Sequence, residues 1–396
     1  MGGLRDLPAY DLGAIVLNEA VRRANVKPEE VDEVIMAQCY QNGENANLGR
    51  MSLFVAGWPI EVTGMVIDRR CCSGLDAVQL AAMKIQTGNA EIVVAGGAES
   101  MSQAEFYIPG TIKWGLGGSG DAPRGHGSLA MWGIPFYDRI QRGRVMSQPI
   151  ARFGVLPTMM SWGDLAAEVE NVSREACDKW ALRAHQKACA AIDSGKFKEE
   201  IVPVKIPQRK GEAQVIDTDE TPRRDTSLEQ LAKLKPVLGG VSTAGNSSSE
   251  NDGAAACVLM SESLAKKRGL QPLAFFKSCA QGGADPTRTW EAVPIAVNKA
   301  LKIAGLSMAQ MELVEIQEAF AGQMLADAKE LGFSDEDMDQ RVNVNGSGIS
   351  LGHPVGATGV IRMTTLLYEM KRRNAKYALE TICGGGGQGI AAVFER

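Results

Sequence analysis

The sequence predicts an α/β fold built from two similar halves with an inserted region between them. Three observations carry this reading. Strand-like runs alternate with helical patterns along most of the chain. Glycine, at 44 residues, clusters at the apparent strand ends. One order of elements, strand, glycine-rich turn, apolar helix, strand and glycine-rich exit, occurs near each end of the chain, as an internal duplication would produce.

In the first half, Asp11 to Ala24 reads as a helix closed by Asn25, and Val31 to Ala37 as a strand. Val62 to Ile67 is a strand, Ser73 to Thr87 a helix, and Glu91 to Ala95 a strand ending in Gly96-Gly97. In the second half, Glu312 to Ile316 and Arg341 to Val344 read as strands and Gly359 to Arg373 as a helix. Ala378 to Cys383 is a strand running into four glycines, and Ile390 to Phe394 is the last strand. The two helices are apolar around much of their circumference, through Leu75, Ala77, Val78 and Leu80 in one and Val360, Ile361, Met363 and Leu366 in the other. Helices of that kind are buried between layers. A helix–sheet–helix–sheet–helix stack accommodates them.

The region from 101 to 250 differs in composition. It opens with a Gly/Trp/Met-rich stretch from Trp114 to Trp162, continues with a helix from Ser173 to Ser194, and becomes charged toward Pro236. Long irregular inserts commonly cover active sites. The expected division is therefore 1–100 with 251–272 as the first half, 101–250 as the insert, and 273–396 as the second half.

A chain of 396 residues buries a large core and needs no disulfide or metal staple. Its net charge of −5 gives it no bulk attraction to nucleic acid or to an anionic membrane. The eight cysteines contain no C-x-x-C pair and there are only three histidines, so no structural metal site is expected. Scattered thiols, with no apolar leader after Met1, read as a protein of the reducing cytoplasm. Every apolar run is broken before the length a membrane span requires.

Three residues stand out chemically. Cys71 joins a strand to a buried helix, where free backbone N–H groups and the helix dipole should lower a thiol pKa; the bland alternative is a buried structural cysteine. Cys72 shares the turn, so its side chain must point elsewhere. His353 lies in a glycine-rich loop, Gly352-His353-Pro354, where a neutral imidazole can take a thiol proton or donate to an oxyanion. His185 falls within the Ala-rich helix and reads as structural or solvent-facing, and His126 sits in a glycine-rich loop. Cys383 precedes the glycine run, whose exposed N–H groups suit an oxyanion. Gly348 to Gly352 matches G-x-S-x-G, but a hydrolase would need its acid and histidine farther downstream.

Taken together, Cys71-Cys72-Ser73-Gly74-Leu75, Glu318-Ala319-Phe320, Gly352-His353-Pro354 and the Cys383 glycine run resemble the thiolase family in order and spacing. Ala95 to Ser102, Lys233 to Pro236, Thr243 to Asn246 and Asn251 to Ala254 extend the resemblance over nearly the whole chain. It implies the five-layered α-β-α-β-α thiolase fold, with a loop domain that binds coenzyme A, and acyl transfer between coenzyme A thioesters. Cys71 would carry the acyl group, His353 would activate it, and Cys383 would serve as the second acid/base. The amides of Cys71 and Gly385 would form one oxyanion hole, and His353 with a water held by residue 317 the other. Ser248, Arg223 and Phe320 would meet coenzyme A, which is a substrate; no cofactor or metal is implied. A homodimer or homotetramer is implied as well.

The chain departs from the family pattern in three places. Gln317 stands where many thiolases have Asn, so a held water moves or is replaced by the amide itself. Trp290 replaces a glycine in a stretch that commonly reads Met-Gly-x-Gly-Pro. The usual first strand is absent, which would leave a sheet edge exposed. A decarboxylating condensing enzyme is the nearest rival, but such enzymes typically lack the cysteine found here at Cys383. A catalytically silent member of the fold is the other rival; it would be expected to have lost at least one of Cys71, His353 and Cys383.

Overall fold

The computed structural model describes residues 2–110, 135–156, 158–208 and 210–396. His126, Trp114 and Trp132 lie outside them. In the first half, β1 (Glu33–Ala37), β2 (Thr63–Ile67) and β3 (Ile92–Ser100) carry α1 (Ala9–Arg23), α2 (Leu48–Val55) and α3 (Ser73–Gln86). The insert follows, with β4 (Phe106–Tyr107) and β5 (Tyr137–Asp138), then α4 (Arg139–Val145), α5 (Ile150–Phe153), α6 (Met160–Val169) and α7 (Arg174–Asp193). It ends with β6 (Val204–Ile206), β7 (Gln214–Ile216) and α8 (Leu228–Ala232). β8 (Asp252–Met260) and α9 (Glu262–Lys267) close the first half. The second half holds β9 (Phe275–Gly283), α10 (Ala292–Ala304), β10 (Leu313–Ile316), α11 (Ala321–Glu330), α12 (Asp335–Gln340) and α13 (Gly348–Leu351). It finishes with α14 (Thr358–Arg373), β11 (Tyr377–Gly384) and β12 (Gln388–Glu395).

The strands form two sheets of order β2-β1-β3-β8 and β10-β11-β12-β9. α3 and α14 lie between them, as their apolar circumference predicts. Leu75, Ala77 and Val78 meet Val360, Met363 and Leu366 in one cluster with residues of both sheets. α1 and α2 cover the outer face of the first sheet. α10, α11 and α7 cover that of the second. The result is the five-layered stack. Truncating the fully buried Leu75 to Ala would cost about 2–5 kcal/mol. The insert begins and ends at neighbouring residues, because Ser100 and Asp252 are partners in the β3–β8 ladder. α7 starts as its sequence predicts, with the Ser173 hydroxyl accepting the Ala176 N–H at 3.1 Å.

Two expectations need correction. β3 runs through Gly96-Gly97 to Ser100 instead of ending there. Gly97 serves close approach, since a Cβ on it would lie 2.8 Å from the Ala357 backbone. Arg341 to Val344 is not a strand but two isolated parallel bridges, Val314 to Val342 and Val344 to Gly346. The Asn343 side chain replaces the ladder there: it accepts the Ile316 N–H at 2.8 Å and donates to the Ile316 carbonyl at 2.8 Å. β8, β9, α10 and α11 were not among the expected elements.

The halves differ at the β8 edge as well. β12 is flanked by both β11 and β9, whereas β8 pairs only with β3 among the described residues. Beside β8 runs a groove of about 1580 Å³ lined by Leu12, Val258, Leu273 and Ile361. β8 is therefore an edge strand of its sheet among the described residues. No helix among the described residues is long and apolar enough to cross a membrane.

Candidate active site

The turn from β2 to α3 presents Cys71. Arg70 adopts a left-handed φ of 52°, a conformation that costs a non-glycine residue. The turn is held by the Ser73 hydroxyl, which donates to the Arg70 carbonyl at 2.6 Å and accepts the Arg69 N–H at 2.6 Å. Cys72 points away into the core, its thiol 3.5 Å from the Ile382 carbonyl. Of the two cysteines in the turn, Cys71 keeps partial access.

Glycines let the two central helices meet beside this turn. A Cβ on Gly74 would lie 2.9 Å from the Gly359 nitrogen, so α3 and α14 begin almost in backbone contact. That crossing brings His353 to Cys71, with Nε2 3.2 Å from the sulfur. Nδ1 lies 2.7 Å from the Thr358 hydroxyl, which donates its own proton to the Pro354 carbonyl at 3.0 Å. The hydroxyl has one proton to give, so Nδ1 must donate to it. Nε2 is then the lone-pair nitrogen, facing the thiol. The His353 N–H donates to Asn251 Oδ1 at 3.0 Å.

Burial decides the protonation states. It is the largest influence on Cys71 and pushes the thiol up to about 11, against the Gly385 and Cys71 amides and the Arg70 and Arg144 charges. Burial, with the Arg362 and Arg144 charges, lowers His353 to about 3. The expected thiolate is thus corrected: desolvation outweighs the helix start, and the resting pair is thiol and neutral imidazole.

Cys383 ends β11 and is buried. Burial first, then the charges of Asp327, Cys71 and Cys72, pushes its thiol well above the usual range. The β11–β12 turn needs positive φ at Gly386 (86°) and Gly387 (74°). Gly385 in that turn directs its N–H at the Cys71 sulfur. Met159 and Trp162 of the insert lie 3.6 Å from where a Gly385 side chain would be. Gln317 follows β10, fully buried, its N–H on the Thr381 carbonyl at 3.0 Å. Phe320 is buried against Gly163 of α6. Ser248 donates its N–H to the Ala319 carbonyl at 2.9 Å, and neighbouring Glu250 bridges to His353. Arg223 is exposed and does not touch Cys71 or His353. Its N–H donates to Nδ1 of the buried His185 at 3.2 Å, which gives His185 a structural role. Trp290 is 1% exposed and packs with Ala166 and Ala326, filling a space between α6 and α11.

Sequence reasoning missed the supporting residues. Glu99 accepts the N–H groups of Cys39 at 3.0 Å, Tyr40 at 3.0 Å and Gly356 at 2.9 Å, tying the first half to the His353 loop. Glu318 accepts from Trp180 at 3.0 Å, Asn343 at 2.9 Å and the Ile349 N–H at 3.2 Å. Both sit inside motifs the sequence displayed, but their partners are remote in the chain.

Comparison with known proteins agrees with this architecture. Residues 1–263 match the model of the thiolase N-terminal domain, and residues 270–396 that of the thiolase C-terminal domain. An acetyl-CoA acetyltransferase of Pseudomonas aeruginosa is 42% identical over 397 residues, covering 100% of this chain and 95% of the relative. A beta-ketoadipyl-CoA thiolase of Acinetobacter baylyi is 41% identical over 399 residues, with the same coverage of 100% and 95%. Among solved structures, the Bacillus anthracis acetyl-CoA acetyltransferase superposes with a TM-score of 0.89 at 40% identity, covering 100% of this chain and 94% of that one. Human mitochondrial 3-ketoacyl-CoA thiolase gives 0.88 at 35% identity, covering 99% and 94%. Fold and relatives together define an acyltransferase. The chain belongs to the thiolase family.

Proposed function

We propose that the chain interconverts two molecules of acetyl-CoA with acetoacetyl-CoA and free CoA, through an acetyl-Cys71 intermediate. The single observation that supports this most is the 3.2 Å contact from the lone-pair nitrogen of His353 to the Cys71 thiol. In condensation, His353 takes the Cys71 proton as the sulfur attacks the thioester carbonyl. The C–S bond to CoA breaks, and CoA leaves with the proton of Cys383, while His353 keeps the Cys71 proton. Cys383, now a thiolate, removes an α-proton from a second acetyl-CoA. The carbanion attacks acetyl-Cys71, the new C–C bond forms, and Cys71 departs and regains its proton. A Claisen step needs one nucleophile that leaves well and a separate base at the α-carbon, and the two cysteines divide those tasks. Gly385 and Cys71 amides stabilise one oxyanion, and His353 with Gln317 the other. Ser248, Arg223 and Phe320 hold coenzyme A. The reaction needs no cofactor or metal, and the enzyme works in the cytoplasm as a homodimer or homotetramer.

A broad-chain 3-ketoacyl-CoA thiolase is the second reading. Trp290 favours it, because that ring packs among Ala166 and Ala326 and so takes no room from the acyl group. Thiolysis of acetoacetyl-CoA with free CoA, run beside a C8 3-ketoacyl-CoA, tests both. Cleavage of the short substrate alone supports the acetyltransferase. Preference for the long one moves the assignment to the second reading. Cleavage of neither, with CoA still binding, overturns both.

A further inference from the structure

Arg362, in α14, is only 1% exposed, and its charge acts on the buried carboxyls of Glu315, Glu318 and Glu380 without a direct ion pair to any of them among the described residues. Burying a cation without a paired carboxylate is costly, so its hydrogen bonds call for an explanation. Nε donates to Gln317 Oε1 at 3.3 Å, and Nη2 donates to the Gly352 carbonyl at 2.7 Å. A guanidinium only donates, so Gln317 must turn its oxygen toward Arg362 and its NH₂ away. That NH₂ is buried and meets no partner. A buried donor without an acceptor marks a place where one is absent. Gly348 makes the room: a Cβ there would lie 2.5 Å from Gln317 Nε2. Gly352, whose carbonyl takes the other hydrogen bond, sits at φ 83° and immediately precedes His353. One side chain therefore fixes both the amide that follows β10 and the peptide that carries the imidazole.

We infer that Arg362 is a positioning residue which, by gripping Gln317 Oε1 and the Gly352 carbonyl together, aims the Gln317 NH₂ and the His353 imidazole at one thioester oxygen. The inference rests on Cys71 and His353 being the acyl-transfer pair. The added methylene of Gln317 then has a purpose, since it lets the amide reach Arg362 and still present its donor end. The Arg362 charge acts on His353 in the same sense, holding the imidazole neutral.

The test uses the full chain with Arg362→Met, Arg362→Lys, Gln317→Met and the double variant Arg362→Met with Gln317→Met. Two readouts are taken: steady-state thiolysis, and the pH profile of Cys71 alkylation by iodoacetamide. Each Met variant should lower kcat about 10²-fold, as loss of one oxyanion donor does, with KM changed far less. The double variant should be no slower than the worse single one, because the pair acts as a unit. Arg362→Lys should fall between. Loss of the buried charge should also move the acid limb of alkylation up by about one pH unit. Multiplicative losses, or full turnover in Gln317→Met, would overturn the inference; the latter variant leaves the guanidinium in place should Arg362→Met misfold. Alkylation needs no acyl substrate, so it tests Arg362 even if the wild-type enzyme cleaves neither ketoacyl-CoA: an acid limb that Arg362→Lys and Arg362→Met leave unmoved overturns the role of Arg362 by itself.

Discussion

Cys71 sits where helix-start amides favour a thiolate, yet burial keeps it protonated at neutral pH. Its reactivity must then come from the base beside it, and the base from the hydroxyl that fixes its tautomer. Thr358→Val removes the acceptor for Nδ1–H while keeping the volume. Thiolysis kcat should fall on the order of 10²-fold, with coenzyme A binding preserved; an unchanged kcat would mean that Thr358 does not orient the ring. Cys71, His353 and Cys383 were legible because each sits in a local motif. Thr358 lies in such a motif too, but its task is not visible there. Asn251 and Glu99 were hidden because they act on residues more than a hundred positions away in the chain. The direction of the Cys71 shift escapes a sequence reading for a related reason: dipole and amides are local features, whereas desolvation belongs to the assembled fold.

Among the elements, α3 and α14 were readable from the apolar residues around much of their circumference, and the strands beside them from their flanking glycines. β8 and β9 were not, since strands paired within a mixed sheet need no alternation. The Arg341 to Val344 segment shows that β-propensity cannot foresee a side chain taking over a ladder. A pH effect belongs at this scale. Glu315 and Glu380 are partners across β10 and β11, and both are buried. Burial is the main cause that raises both: Glu315 goes to about 8, and Glu380 well above its ordinary value. The unfolded chain releases these protons near pH 4.5, whereas the folded chain keeps them to about 8 or beyond. The folded state thus binds more protons across that window, and stability falls as pH rises through it. Glu380→Gln should therefore raise Tm at pH 8 by several degrees and have little effect at pH 4.5, as calorimetry would record. A gain of equal size at both pH values would contradict the assignment.

For the whole molecule, the two sheets differ at both edges: β2 flanks β1 where β10 has only a bridge to Val342, and β8 has no strand beyond it among the described residues. An unpaired apolar edge is a template for another chain. Purified protein should scatter light increasingly at micromolar concentration, and Met260→Lys on β8 should delay this; identical scattering traces would mean that association uses another surface. The insert has a different bearing. Its ends meet at one ladder pair, Ser100 and Asp252, while α7 within it packs on the second sheet. Both thiols, the histidine and Gln317 lie outside that span; Met159, Trp162, Arg223 and Ser248 lie inside it. Under the proposed roles, most of the recognition residues fall inside that span and the reacting groups outside it, Phe320 excepted; a relative's span grafted between Ser100 and Asp252 should then shift substrate choice, provided Asn251, which holds the His353 N–H, is kept.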